Sequence, residues 1–152
     1  MRFVLLDAFR VIEPGVRAEA VKTFAPRDEL FADHFPGFPV VPGVLITEAL
    51  GQTGAWILSG SLGNRWPLLV LVQSAKFRRF LRPGEPLRIE AEVASRPGDD
   101  FLVSARGHVN GERVAEARLV FHAFELPEEA APGMAEWARR TLDALLAAPM
   151  PS

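Results

Sequence analysis

One segment constrains the fold more than any other: residues 43–59, GVLITEALGQTGAWILS. Its length and composition predict a single helix with apolar side chains on almost every side. A helix that is apolar all round is buried all round, so the rest of the chain must wrap around it. Gly51 and Gly54 each lower helix stability by about 1 kcal/mol relative to alanine. We therefore expect another backbone to approach there, from a sheet or from a partner subunit.

Six segments have the composition or the alternation of β-strands. They are residues 2–12, 16–24, 67–81, 87–96, 101–109 and 113–126. The first two are expected to form a hairpin or adjacent strands, and the last three are separated by hairpin-length turns, which favours antiparallel pairing. The apolar face of such a sheet must be covered, and helix 43–59 is the only cover of sufficient size. This predicts an α+β hotdog fold, a curled antiparallel sheet wrapped around one long central helix.

Two domain-level segments follow from this pattern. Residues 1–126 are expected to form the hotdog domain, with a short helical turn and loop within 26–35. Residues 127–152 are expected to form a Pro/Glu/Ala-rich linker, 127–133, and a C-terminal amphipathic helix, 134–147.

Charge and composition narrow the classes of function. The net charge of −2 gives no reason to expect nucleic-acid binding. The chain has no cysteine, and its three histidines lack metal-ligand spacing, so we expect no metal site. The N-terminus lacks the features of a signal peptide, and no apolar run approaches the roughly 20 residues that span a bilayer. We expect a cytoplasmic protein.

The loop before the helix, HFPGFPVVPG at 34–43, is unusually stiff. Pro36, Pro39 and Pro42 each fix φ, and the residue before each proline is restricted as well. The loop leads directly into a helix N-terminus, where amide N–H groups lack partners within the helix. Together with the helix dipole, these groups can stabilise a developing oxyanion or enolate.

Two polar side chains flank that N-terminus. His34 is a natural base near neutral pH. Glu48 lies in the first turns of an otherwise apolar helix, where burial favours a protonated carboxyl and hence a proton donor. A base, an acid and an N–H oxygen site fit proton abstraction α to a carbonyl with loss of a β-substituent. A purely structural role remains open, with His34 bonded to a local carbonyl and Glu48 favoured by the helix dipole.

The string HFPGFPVVPGVLITEALGQTG resembles the 3-hydroxyacyl-acyl carrier protein dehydratase family. The family pattern is His-Phe-Pro-Gly-x-Pro-x-x-Pro-Gly-Val with an acid on the following helix, and every fixed position is present. The segments SAKFRRFLRPGEPLRIE, 74–90, and NGERVAEARLVF, 110–121, resemble the family less closely. The likeness covers about residues 3–125 and implies the same hotdog fold. Phe38 departs from the family, where a charged residue is frequent, and the chain has no tyrosine.

The resemblance implies a role for each matching residue. His34 removes the C2 proton of a 3-hydroxyacyl thioester, and Glu48 protonates or holds the departing hydroxyl. The Gly43 N–H binds the thioester carbonyl, and the Val40 carbonyl orients the imidazole. Gln52, one helical turn after Glu48, supports the site.

The resemblance also implies an assembly. The histidine and the acid of one site come from opposite subunits of a homodimer or a higher even oligomer. The acyl chain lies in an apolar tunnel at the dimer interface, for which Phe38, Leu45 and Phe77 are candidate lining residues. The substrate is a thioester of acyl carrier protein or coenzyme A, and no metal or redox cofactor is required.

A basic segment around the end of the third predicted strand is a candidate docking site for the acidic carrier protein. Its cations are Lys76, Arg78, Arg79 and Arg82. Solvent-facing charges that protect a strand edge are the alternative interpretation. His108 and His122 are expected to be strand residues without a catalytic part.

The leading hypothesis is dehydration of a (3R)-3-hydroxyacyl thioester to the trans-2-enoyl thioester, in the synthesis of fatty acids or of related acyl chains. One alternative is another thioester enzyme on the same fold, a thioesterase or an enoyl-CoA hydratase. A second alternative is a non-catalytic subunit that binds acyl groups.

Overall fold

Within residues 3–151, the part of the chain that this computed structural model describes, six strands and two α-helices follow one another in the predicted order. They are β1 (Ala8–Glu13), β2 (Arg17–Thr23), α1 (Gly43–Ser59), β3 (Arg65–Phe77), β4 (Pro86–Ser95), β5 (Asp100–Val109), β6 (Glu112–Glu125) and α2 (Met134–Ala147). A 3₁₀ turn at Glu29–Phe31 precedes the proline-rich loop. Met1, Arg2 and Ser152, which fall in the predicted ranges 1–126, 2–12 and 127–152, lie outside the described residues.

The six strands form one antiparallel sheet in the order β1-β2-β4-β5-β6-β3. The sheet curls around α1, which packs against β2, β3, β4, β5 and β6. Inward-facing residues alternate with outward-facing ones along β5, where Phe101, Val103 and Ala105 are buried. The predicted hotdog fold is confirmed.

Helix α1 begins and ends at the predicted residues. Pro42 starts it without donating an N–H, and its carbonyl accepts from Leu45 at 3.0 Å and from Ile46 at 3.3 Å. The helix ends at Ser59, and Gly60 follows. Most of its apolar side chains are buried, while Val44 in the first turn is 76% exposed. Val44 is therefore open to solvent at the start of α1, while Ile46 in the same turn is buried.

The two glycines inside α1 differ in what approaches them. A Cβ atom on Gly54 would lie 3.0 Å from Val103 Cγ1 and 3.2 Å from Phe121 Cε2. A Cβ atom on Gly51 would meet only Leu119 Cδ1, at 3.9 Å. The expected close approach is thus found at Gly54 alone, and side chains of the sheet make it, not a backbone.

We expect Gly54→Ala to lower the free energy of unfolding by about 1–3 kcal/mol, because the added methyl overpacks the contact between helix and sheet. Gly51→Ala is the matched control in the same helix. It should leave stability unchanged or raise it by up to about 1 kcal/mol through helix propensity. Denaturant unfolding at one fixed protein concentration measures both. Equal effects of the two substitutions would contradict the packing described.

Two predicted strands have wrong ends, each for a reason in the tertiary structure. Strand β1 starts at Ala8 and not near residue 2, because the Leu5 N–H donates to the Gln52 side chain at 2.7 Å. Strand β3 ends at Phe77 and not at 81. The chain there turns toward the proline-rich loop, and the Leu81 carbonyl accepts from the Val41 N–H at 2.8 Å.

Strand β3 forms an edge of the sheet. It pairs with β6 on one side, and no segment of residues 3–151 pairs with its other side. Its middle, residues 68–72, consists of Leu68, Leu69, Val70, Leu71 and Val72, each between 38% and 52% exposed. A long apolar edge with unpaired backbone groups is a template for pairing with another chain.

Helix α2 packs against β1, and its Ala138 and Leu145 belong to the same buried core as α1 and the sheet. Trp137 of α2 stacks on Trp56 of α1, with ring centroids 6.1 Å apart. Among the described residues, neither α1 nor α2 is long and apolar enough to cross a membrane. The division of the chain at residue 126 stays a prediction.

Candidate active site

Backbone hydrogen bonds close the proline-rich loop on itself. The Phe35 N–H donates to the Phe38 carbonyl at 3.3 Å, and the Phe38 N–H donates to the Phe35 carbonyl at 3.0 Å. Pro36 and Gly37 form the corner between them, and Gly37 has a φ of 78°. A type II turn favours proline at its second position and requires a positive φ at its third. Glycine adopts that φ without strain. The loop is therefore held rigid by its own sequence.

The same loop fixes the orientation of His34. The half-buried imidazole lies with Nδ1 3.3 Å from the Val40 carbonyl oxygen, and the Val40 N–H donates to the His34 carbonyl at 3.0 Å. A carbonyl can only accept, so Nδ1 carries the hydrogen of the neutral ring. Nε2 then has a free lone pair and can take a proton.

The first turn of α1 offers hydrogen-bond donors beside this loop. The N–H groups of Gly43 and Val44 have no partner among residues 3–151. The ring of Phe77 covers Gly43 so closely that a Cβ atom there would lie 3.0 Å from Phe77 Cζ. A larger residue at position 43 would displace the ring or the helix start. Two free N–H groups at the positive end of a helix can bind a carbonyl oxygen and stabilise charge on it.

Glu48 lies one turn further along α1. Its Oε1 accepts from Gln52 Nε2 at 3.1 Å. The supporting role expected for Gln52 stays a prediction. Gln52 Nε2 also donates to the Phe3 carbonyl at 2.9 Å, and Gln52 Oε1 accepts from the Leu5 N–H at 2.7 Å. Gln52 thus ties the N-terminal segment to α1 and holds the carboxyl in place. Glu48 is half-buried in the single chain, where full burial was expected.

A cavity of about 220 Å³ opens beside Glu48. One face of α1 lines it with Glu48, Gln52 and Trp56, and the start of β3 and the segment before β1 complete its sides. Met134 and Trp137 of α2 lie at the Trp56 end. The cavity has a carboxyl at one end and aromatic rings at the other, which suits a ligand with a polar head and an apolar chain.

His34 does not line this cavity, so the cavity does not bring the two candidate catalytic residues together. The three candidate tunnel residues lie outside it as well. Phe38 contacts Phe80, at 5.8 Å between ring centroids, and Leu45 packs on the core. Phe77 lies over Gly43. Their role as tunnel lining stays a prediction for an assembled protein.

Sequence reasoning missed the aromatic end of the cavity. Trp56 was assigned only to a buried helix, yet it follows Glu48 and Gln52 at intervals of four residues, which places all three on one helix face. That spacing was a usable signal. Trp137 and Met134 gave no such signal, because they come from a helix far along the chain.

The basic segment is partly neutralised. Arg78 pairs with Glu116 at 3.0 Å, and Arg79 pairs with Glu85 and Glu112, both at 3.2 Å. Burial raises the pKa of Glu85, but hydrogen bonds from Arg79 and from the Arg82 amide outweigh this and hold the pKa below its ordinary value.

Two cations of the segment remain without a carboxylate. Lys76 and Arg82 make no salt bridge with any residue in the described range 3–151. The Arg82 guanidinium lies 5.3 Å from the centre of the Phe38 ring. Lys76 and Arg82 are therefore the cations of this segment that form no salt bridge within residues 3–151, although the charge of Arg82 also helps to lower the pKa of Glu85.

The other histidines lie away from the Glu48 cavity. His122 Nδ1 is 2.6 Å from Asp100 Oδ1, across β6 and β5, and His108 is half-buried on β5. Nowhere in residues 3–151 do three or more His, Cys, Asp or Glu side chains cluster as a metal site requires. That both histidines are non-catalytic stays a prediction.

Comparisons with known proteins identify relatives over most of the chain. Residues 1–118 match the family model of the FabA-like domain. The chain is 39% identical over 127 residues to the 3-hydroxyacyl-[acyl-carrier-protein] dehydratase FabZ of Geobacillus thermodenitrificans, covering 82% of this chain and 88% of that protein. It is 38% identical over 120 residues to the FabZ of Syntrophotalea carbinolica, covering 77% and 82%.

Solved structures share the fold at low sequence identity. Cj0977, a virulence protein of Campylobacter jejuni, superimposes with a TM-score of 0.67 at 15% identity, covering 83% of this chain and 82% of that one. The dehydratase heterocomplex ApeI:P of Xenorhabdus doucetiae gives a TM-score of 0.60 at 17% identity, covering 76% and 97%. At these identities the likeness establishes the architecture alone.

Proposed function

The chain belongs to the FabA-like family, and we propose that it dehydrates a (3R)-3-hydroxyacyl thioester to the trans-2-enoyl thioester in fatty-acid synthesis. The FabZ relatives, at 38–39% identity, are named for this reaction on acyl carrier protein. The observation that carries the proposal is His34, whose Nδ1 is held by the Val40 carbonyl beside the open N-terminus of α1. That arrangement supports the proposal that a base and an oxygen site act on the same substrate.

The reaction follows from these groups. Nε2 of His34 takes the C2 proton, while the N–H groups of Gly43 and Val44 donate to the thioester oxygen, where enolate charge develops. The C3–O bond then breaks, and the Glu48 carboxyl gives its proton to the departing hydroxyl, which leaves as water. Gln52 positions Glu48 through the 3.1 Å hydrogen bond. Every step is a proton transfer or an elimination. The proton left on His34 must return to Glu48, directly or through water, before the next turnover.

We propose further that the working unit is a homodimer with sites shared between subunits. The apolar edge of β3 supports this dimer, because the β3 strand of a second subunit could pair with it and cover residues 68–72. Within one chain His34 does not line the cavity beside Glu48, which is consistent with each residue meeting its counterpart from the partner subunit. The cytoplasmic location expected from the sequence stays a prediction.

The function is tested by absorbance of the enoyl thioester product, with 3-hydroxyacyl substrates from C4 to C16 on carrier protein and on coenzyme A. We expect dehydration, with carrier-protein substrates preferred. Liberated thiol without enoyl product would identify a thioesterase. Preference for coenzyme A and for hydration of enoyl substrates would identify a hydratase. Tight binding with no absorbance change would identify a non-catalytic subunit.

Carrier docking gives a separate prediction. The double substitution Lys76→Glu and Arg82→Glu should raise KM for carrier-protein substrates about tenfold, because it replaces the two unpaired cations by anions that repel an acidic partner. KM for the coenzyme A substrate should change much less. Steady-state kinetics with both substrates measure the difference.

The matched control is Arg10→Glu, a charge reversal on β1 at the opposite edge of the sheet, where Arg10 is exposed and lies 3.8 Å from Glu19. It should leave both KM values unchanged. Lys76→Glu alone changes the net charge by the same amount as Arg10→Glu, so these two single variants are compared directly. If both raise KM for carrier-protein substrates equally, net charge is responsible and not a docking site.

A further inference from the structure

Helix α2 lies outside residues 1–118, the range that the family model matches, yet it contributes to the cavity beside Glu48. Met134 and Trp137 line the cavity together with Trp56. Trp56 is 8% exposed, whereas Trp137 stacked against it is 50% exposed. A large apolar surface therefore remains open to solvent at the end of the cavity opposite the carboxyl.

The geometry of α1 sets the distance between Glu48 and this aromatic surface. Glu48, Gln52 and Trp56 follow one face of α1, which rises about 1.5 Å per residue, so Trp56 lies about 12 Å beyond Glu48 along the helix. A substrate whose reacting carbons lie at Glu48 would reach Trp56 and Trp137 only with the far end of its chain. Short acyl chains would end before the aromatic pair.

We propose that α2 forms the far wall of the acyl-chain groove, where Trp137 and Met134 bind the distal carbons of long acyl chains. This inference rests on the proposed function for the identity of the ligand. The acyl chain would cover the exposed face of Trp137, and burying such a surface favours binding. Helix α2 then selects substrates by chain length without taking part in the proton transfers at Glu48.

The direct test is binding, which does not depend on turnover. Saturated S-alkyl thioethers of coenzyme A have no hydroxyl to lose and no thioester to cleave. Calorimetry can compare alkyl chains of C4, C8, C12 and C16. For the unaltered protein, affinity should increase with chain length. Trp137→Ala should weaken binding of C12 and C16 about tenfold and leave C4 unchanged. Trp137→Phe should retain most of the affinity for long chains.

The matched control is Leu146→Ala, which truncates another exposed apolar side chain of α2, 45% exposed and outside the Glu48 cavity. It should leave the binding profile unchanged. An unchanged profile for Trp137→Ala, or tighter binding of long chains, would overturn the proposed wall. Light scattering is a second readout. A loss of dimer in Trp137→Ala would mean that the partner subunit covers this surface, which also overturns the inference.

This inference and the proposed function fail in different ways. A protein that dehydrates but binds long chains equally well with and without Trp137 retains the function and loses the role of α2. A protein that shows no dehydration, yet loses long-chain affinity in Trp137→Ala, retains the groove and loses the catalytic proposal.

Discussion

Replacing His34 with alanine is expected to lower kcat for dehydration about 10³-fold, within the range typical of a lost general base. The reason is local, since Nε2 is the free nitrogen of a ring whose Nδ1 is held by Val40. Substrate binding should change little, because the oxygen site at Gly43 and the cavity beside Glu48 remain. Enoyl absorbance measures kcat, and calorimetry with an unreactive thioether measures binding.

A second variant separates loss of the base from damage to the loop. His34→Asn retains an N–H that can donate to the Val40 carbonyl, but it has no basic nitrogen. It should be as inactive as His34→Ala with a thermal stability closer to the original. His108→Ala is the matched control, a half-buried histidine on β5. Substantial turnover in His34→Asn would exclude His34 as the base.

The ends of helices and strands could be predicted from the sequence where neighbouring residues determine them. Helix α1 begins at Gly43 because Pro42 has no N–H to donate, so the helix cannot extend further toward the N-terminus. Its apolar surface identified it as the core helix. Strand ends were not predictable, because distant partners set them. The Leu5 N–H donates to Gln52, and the Leu81 carbonyl accepts from Val41, contacts that no strand pattern contains.

The candidate site likewise contains contacts between residues close in sequence, which could be predicted, and one between distant residues, which could not. The His34–Val40 contact lies within one short loop, and the family resemblance already pointed to it. The Glu48–Gln52 contact lies within one helical turn, where the spacing had placed both residues on one helix face. The stacking of Trp56 on Trp137 joins residues far apart in sequence. It depends on how α2 folds back over β1, which local propensity does not determine.

The second large effect concerns the origin of the two catalytic groups. Glu48→Gln keeps an oxygen that can accept from Gln52 but removes the carboxyl proton, so we expect kcat to fall about 10²-fold or more. His34→Ala and Glu48→Gln should each be nearly inactive alone. If a site combines His34 of one subunit with Glu48 of the other, a mixed dimer of the two variants contains one intact site and one doubly altered site.

Equal amounts of the two variants, unfolded together and refolded, should therefore recover about a quarter of the original activity, since about half of the dimers are mixed and each has one working site of two. Each variant refolded alone is the control and should stay inactive. If one chain supplied both groups, every site in a mixed dimer would carry one defect and no activity would return. Recovery would place the reacting pair across the subunit boundary, as expected from a chain in which His34 lies outside the cavity that Glu48 lines.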